Sequence, residues 1–204
     1  MTEPSRSVEV ERKYDVDPAT PLPEWTAVPG VGGVTEGELR ELDAQYLDTA
    51  DAALARAGVA LRRRTGGPDA GWHIKGPREG DGRVELGWPL GDDDRVPDAV
   101  ASTLARWTTD PLMPLARIRN DRTAYLLEGP GGVVAEFVDD RVRATDIRQG
   151  IEREWREWEV ELGPAAPADA EGRAAFFAAV DEAVRAAGGR DASSDSKLAR
   201  ALGF

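Results

Sequence analysis

The chain has 204 residues, 41% of them hydrophobic and 31% charged, with a formal net charge of −12, which fits one soluble domain with a real core. It has no cysteine and a single histidine, His73, which excludes disulfides, thiolate metal sites, cysteine nucleophiles and histidine-rich zinc centres; any metal must be held by carboxylates, which favours Mg²⁺ or Mn²⁺. The acidic balance argues against a nucleic-acid partner, and the absence of a long apolar run or leader-like start makes a cytoplasmic chain with no membrane contact the expectation.

Residues 1–7 read as a frayed start to one domain spanning 1–204. Next comes Val8-Glu9-Val10-Glu11-Arg12-Lys13. In a strand, side chains alternate between faces, so Glu9, Glu11 and Lys13 share one side and Val8 and Val10 the other. Two carboxylates about 7 Å apart with an ammonium one step further suit a wet interior holding a divalent cation and an anion better than an apolar core. Pro18 to Gly33 has loop character with room for a short helix. Glu38–Leu47 reads as a strand, and 50–57 as a short helix stopped by Gly58. Residues 59–65, 71–76 and 83–90 form an antiparallel meander, followed by a helix over 96–107. Residues 115–127 and 133–144 pair as a hairpin across Glu128-Gly129-Pro130-Gly131-Gly132, and 155–162 adds a strand. Residues 168–187 form a long amphipathic helix burying Phe176, Phe177, Val180 and Val184, and 193–204 is a short polar-to-apolar tail.

Seven strands repeat the charge alternation. Arg62 and Arg64 share a face, as do His73 and Lys75, Arg83 and Glu85, Arg117 and Arg119, Glu136 and Asp140, and the trio Glu157, Glu159 and Glu161. For one strand a solvated face explains this best. Across seven, almost all Glu, Asp and Arg, the pattern favours a closed antiparallel β-barrel of about eight strands in an α+β fold. Its charged faces would line a tunnel and its apolar faces would be covered by outer helices. Arg63 and Arg122 fall out of parity and read as surface or rim residues. Asp139 competes with Asp140 for the inward position, and parity with Glu136 favours Asp140. His73 reads as packed rather than catalytic, and the tryptophans as core. Only three lysines occur, Lys13, Lys75 and Lys197, against 23 arginines, so each lysine is a candidate for a point-charge contact to phosphate.

These motifs together resemble the CYTH superfamily, the triphosphate tunnel metalloenzymes. Glu9, Glu11 and Lys13 match its N-terminal Glu-x-Glu-x-Lys, and Leu61-Arg62-Arg63-Arg64 its Leu-Arg-x-Arg strand. Further matches follow in order: Tyr46-Leu47-Asp48-Thr49, Trp72-His73-Ile74-Lys75-Gly76-Pro77, Arg83-Val84-Glu85, Arg117-x-Arg119-x-x-Arg122, the acidic strand from Glu136 to Asp140, Glu157-Trp158-Glu159-Val160-Glu161-Leu162, and Ser196-Lys197.

The resemblance implies a linear triphosphate, or a longer polyphosphate anion, bound by Lys13, Arg62, Arg64, Lys75, Arg117, Arg119 and Lys197. Mg²⁺ or Mn²⁺ would be held by Glu9, Glu11, Glu157 and Glu159. Glu85, Asp140 and Glu161 are the catalytic candidates, for positioning water or serving a second metal. The implied activity is hydrolysis of a terminal phosphoanhydride, with inorganic triphosphate favoured because no organic-group pocket stands out. Thiamine or nucleoside triphosphate hydrolysis, which needs an aromatic or amide platform, is the alternative enzyme. A polyphosphate-binding module without turnover is the non-enzyme alternative. Oligomeric state is left open by the sequence.

Overall fold

Alternating apolar and ionic residues do produce strands, which take up nearly half of the chain. The computed structural model describes residues 3–80 and 82–204. In chain order it contains β1 (Ser5–Glu9), β2 (Glu11–Val16), a 3₁₀ turn (Trp25–Ala27), β3 (Gly33–Val34), β4 (Glu38–Asp48), α1 (Ala53–Arg56), β5 (Ala60–Thr65), β6 (Gly71–Glu79) and β7 (Gly82–Trp88). It continues with α2 (Asp98–Leu104), β8 (Met113–Gly129), β9 (Gly132–Asp146), β10 (Ile151–Leu162), α3 (Ala170–Ala187), β11 (Arg190–Asp191) and α4 (Lys197–Leu202). No helix among the described residues is long and apolar enough to cross a membrane.

The strands form one antiparallel sheet in the order β1-β7-β6-β5-β4-β8-β9-β10-β2-β11, with β3 beside β8. The α+β class and the antiparallel sheet with helices agree with the sequence reading. The closed ring of about eight strands does not. Among the described residues there are eleven strands, and their ladders form a path with two ends. The N-terminal segment breaks at Val10, so that β1 pairs with β7 and β2 with β10. Two-residue strands add the rest. Because Glu9 and Glu11 are separated by one residue, the covalent chain at Val10 holds β1, one end of the path, beside β2, one strand in from the other end, and the sheet curls. Ser5–Ser7, expected to fray, pair with β7 through Gly87, Leu86 and Glu85.

The apolar faces are covered as alternation predicts. Phe176, Phe177, Val180 and Val184 of α3 pack with Tyr14, Trp25, Phe137, Trp158 and Val160. Asp169 caps α3, accepting from the Gly172 amide at 2.7 Å, and Gly188 ends it at φ 104°. Tyr14 donates to Asp181 on α3 at 2.6 Å, which joins the helix to β2. A second core places Leu54 of α1 and Val100 and Leu104 of α2 against Leu61, Trp72, Ile74 and Trp88. The polar-to-apolar tail holds α4. Ser196 caps that helix by accepting from the Ala199 amide at 3.1 Å, and Gly203 closes it with φ 88°.

Arg156 joins the sheet to the loop after β2. Its guanidinium is 6% exposed, donates to Asp139 at 2.7 and 2.9 Å and to the Thr20 carbonyl at 2.7 Å. Replacing it leaves several carbonyls unmatched and takes from half-buried Asp139 its cation, leaving among the described residues only the Trp158 Nε1 donor at 3.1 Å. Arg156→Ala is therefore expected to destabilise the protein by about 2–4 kcal/mol, read from the urea midpoint. A loss within the error of the measurement would show the network to be inert.

Candidate functional site

The inner face of the curled sheet lines a cavity of about 320 Å³. Residues at alternate positions reach it from most strands: Glu9, Glu11 and Lys13, Arg40 to Tyr46 along β4, Arg62 and Arg64, Lys75, Arg83, Ile118 to Arg122 along β8, Glu136, Glu159 and Glu161, with Ser196, Lys197 and Leu198 from the start of α4. The lining carries eight Lys or Arg and seven Asp or Glu side chains.

The wall made by β2 and β10 is a lattice of ion pairs. Lys197 Nζ lies 2.8 Å from Asp140, 2.6 Å from Glu157 and 2.8 Å from Glu159. These three carboxylates are buried and bring one oxygen each within 4.8 Å of one another. Lys13 bonds Glu159 and lies 3.0 Å from Glu11. Arg122 forks onto Asp140 at 2.8 and 2.8 Å and reaches Glu159 at 2.9 Å. Burial alone would raise the Glu159 pKa, but Lys13, Lys197 and Arg122 outweigh it and hold the carboxyl well below its ordinary value. Asp140 is held down in the same way by Arg122 and Lys197.

The end of this wall nearest β1 has fewer cations per carboxylate. Glu9 bonds Lys75 at 2.6 Å, yet burial pushes its pKa up. Glu11 and Glu161 are cross-strand neighbours, and the Glu161 side chain has no hydrogen bond or ion pair among the described residues. Burial, then Glu9 and Glu11, push the Glu161 pKa up to about 7. This has a testable sign. A raised folded pKa gives stability that is fully present below the unfolded value of 4.5 and lost as pH rises through about 7. In a chelator, Glu161→Gln should match the parent near pH 4.5 and exceed it by about 2 kcal/mol at pH 8, measured by urea unfolding at both pH values. Equal stability at pH 8 would mean that Glu161 feels no repulsion from its neighbours.

Of the residues singled out in the sequence, Lys13, Arg62, Arg64, Lys75, Lys197, Glu9, Glu11, Glu159 and Glu161 line the cavity. Glu85, Asp140 and Glu157 sit one bond behind it. Glu85 is 6% exposed, 2.9 Å from Lys75 and 3.3 Å from Arg62, and also bonds His73. Burial opposes its ionisation, but His73, Arg62 and Lys75 keep its pKa far below normal. Asp140, not Asp139, faces inward; Asp139 pairs outside with Arg156.

Arg117 and Arg119 lie on the outer face, paired with Asp43 at 2.6 and 3.6 Å. The register explains this: Ala44 faces Ile118, Leu42 faces Asn120 and Arg40 faces Arg122, so β4 fixes the inward parity of β8. Arg122, which parity alone put at the rim, therefore reaches the cavity without a bulge. Arg40 and Asn120 were not singled out by sequence, and Tyr46 entered only as part of a family motif with no role assigned. The only hint for them is shared parity with residues that β4 and β8 bring face to face.

A family model for the CYTH domain matches residues 7–200. The chain belongs to the CYTH domain family. Two uncharacterised proteins of Mycobacterium tuberculosis, from strains CDC 1551 and H37Rv, are each 38% identical over 213 residues, covering 98% of this chain and 41% of their own length. The chain thus spans less than half the length of the curated relatives it matches. Among solved structures, a candidate adenylate cyclase of Bacillus halodurans has a TM-score of 0.63 at 18% identity, covering 96% of this chain and 97% of that one. The PH1819 protein of Pyrococcus horikoshii has a TM-score of 0.60 at 16% identity, covering 95% and 98%. HpAC1 of Hippeastrum, a candidate adenylyl cyclase described with a dominant triphosphatase activity, has a TM-score of 0.57 at 13% identity, covering 96% and 94%. At these identities the CYTH-like fold is what is shared.

Proposed function

We propose that this CYTH protein binds a linear triphosphate in its charged cavity, as in a tunnel, and cleaves the terminal phosphoanhydride with the help of a divalent cation. One observation carries the reading. Arg40, Arg62 and Arg64 all line the cavity, and each keeps a buried guanidinium Nε–H with no acceptor. Unmatched buried donors are costly, and a ligand rich in acceptor oxygens satisfies them. A triphosphate carries about four negative charges, and a convergence of lysine and arginine is what replaces its water.

The donor set fits a hard cation. Glu9, Glu11 and Glu161 offer only oxygen, repel one another and lack enough cations nearby, whereas Asp140, Glu157 and Glu159 are already neutralised by Lys197, Lys13 and Arg122. We assign the metal to Glu9, Glu11 and Glu161, with Glu159 adjoining; Mg²⁺ or Mn²⁺ there would polarise phosphate oxygens and supply an activated water. The protein's own residues do the rest. Lys13, Arg62, Arg64, Lys75, Arg122 and Lys197 bind and orient the chain of phosphates, and Glu85 holds Arg62 and Lys75 in place. Arg117 and Arg119 drop out of this cradle.

Inorganic triphosphate is the proposed substrate, since the ionic part of the cavity needs nothing more. One feature favours an organic triphosphate as second reading: Leu42, Ala44, Tyr46, Ile118 and Leu198 make part of the lining apolar, and Asn120 Oδ1 among them is buried without a donor. A panel of inorganic triphosphate, thiamine triphosphate, ATP and long polyphosphate, each with Mg²⁺ and Mn²⁺, separates these readings. The highest kcat/KM on inorganic triphosphate supports the first, and a higher value on an organic triphosphate the second. Tight polyphosphate binding with no turnover of any substrate would overturn the enzyme.

A further inference from the structure

Three arginines crowd one region of the cavity. Arg62 is matched by buried Glu85 and Arg122 by buried Asp140 and Glu159. The third, Arg64, is itself only 6% exposed, and among the described residues its one carboxylate partner is Asp69, whose side chain is 58% exposed. Burial, then Arg62 and Arg122, lower the Arg64 pKa to about 9. So this crowded, buried guanidinium is matched by a largely exposed carboxylate, whereas Arg62 and Arg122 are matched by buried ones.

Asp69 sits in the turn 66–70 between β5 and β6, and both it and Pro68 line the cavity. The turn's backbone is pinned at each end. Gly66 has φ +77°, and a Cβ there would lie 1.9 Å from the Glu41 carbonyl oxygen, so no side chain fits. At the other end the Asp69 carbonyl accepts from His73 Nε2 at 3.0 Å and from Arg64 Nη2 at 3.4 Å. His73 in turn is bonded through Nδ1 to Glu85. With the backbone fixed, what can leave Arg64 is the carboxylate alone, by side-chain rotation toward solvent.

We infer that Asp69 is an internal anion mimic: its carboxylate occupies the place on Arg64 that a substrate phosphate takes, and every anion that binds must displace it. The inference rests on the triphosphate reading and adds a residue that sets the site's affinity. Asp69 weakens binding in the resting protein and keeps a buried, crowded guanidinium neutralised when no substrate is present. His73 positions the gate by holding the Asp69 carbonyl, which gives the lone histidine a role apart from packing.

The test is calorimetric binding of inorganic triphosphate to the parent, Asp69→Asn and Asp69→Glu, with the melting temperature of each protein. Losing a competing surface-exposed carboxylate should tighten binding about five- to tenfold in Asp69→Asn, while Asp69→Glu stays near the parent. A merely structural Asp69 would give the opposite sign, weaker binding with a lowered melting temperature. Binding by the parent with equal or weaker affinity in Asp69→Asn overturns the gate and leaves the triphosphate reading intact. Binding by Asp69→Asn alone supports the gate, and no binding by any of the three proteins overturns both.

Discussion

Lys197→Met is expected to destabilise the protein by about 3–5 kcal/mol at neutral pH, the cost of leaving buried carboxylates without their cation. Lys197 Nζ is within 2.8 Å of Asp140 and Glu159 and 2.6 Å from Glu157. Its own pKa is raised well above normal, since Asp140, Glu157 and Glu159 outweigh the effect of burial. Methionine keeps much of the stem and removes the charge, so packing of α4 is largely conserved. The pH dependence has a definite sign. In the parent, Asp140 and Glu159 have depressed folded pKa values, so their contribution is present above the unfolded values and lost as pH falls through the folded ones. The variant lacks much of that depression. The gap between the two proteins should be widest near pH 7 and shrink only as pH falls below the ordinary values of 3.8 and 4.5, in urea unfolding followed at several pH values. A constant gap would mean that Lys197 acts through packing.

The second large effect concerns chemistry. Glu9→Gln and Glu11→Gln should each lower metal-dependent kcat on inorganic triphosphate about a hundredfold or more, by removing a charged oxygen from the proposed metal wall. Anion binding without metal should survive, because Lys13, Arg62 and Lys75 remain. Lys13→Ala should instead raise the dissociation constant. It also strips a partner from Glu159 and Glu11, so its melting temperature should fall, whereas the glutamine variants stay folded. Steady-state kinetics across Mg²⁺ concentration checks this. Parental turnover in both glutamine variants would remove the metal from Glu9 and Glu11.

The ionic alternation from Glu9 to Lys13 and from Glu157 to Glu161 carried most of what was legible, because strand parity is a local property of adjacent residues. For the same reason Trp72 and Ile74 could be assigned to the core opposite His73 and Lys75. Parity fails on β8. That strand runs for 17 residues with charges on both faces, and only its pairing with β4 decides that Asn120 and Arg122 point in while Arg117 and Arg119 point out. Nor could alternation reveal that the N-terminal strand divides at Val10 between two partners. The Lys197 cluster joins residues 38 to 57 positions apart, a relation set by tertiary packing. The short helix carrying Lys197 did have a signature, Ser196 as its cap and Gly203 at its end, with Leu198, Ala201 and Leu202 between them.

Hydrolysis of the terminal anhydride of a triphosphate in the cavity, with a divalent cation, is the activity proposed for this protein. Phosphorus NMR of inorganic triphosphate incubated with the purified protein, with Mg²⁺ or Mn²⁺ and then with excess chelator, tests it most directly. Equimolar pyrophosphate and orthophosphate appearing only with metal is the predicted result. An unchanged triphosphate spectrum with both metals, or the same turnover in chelator, would contradict it.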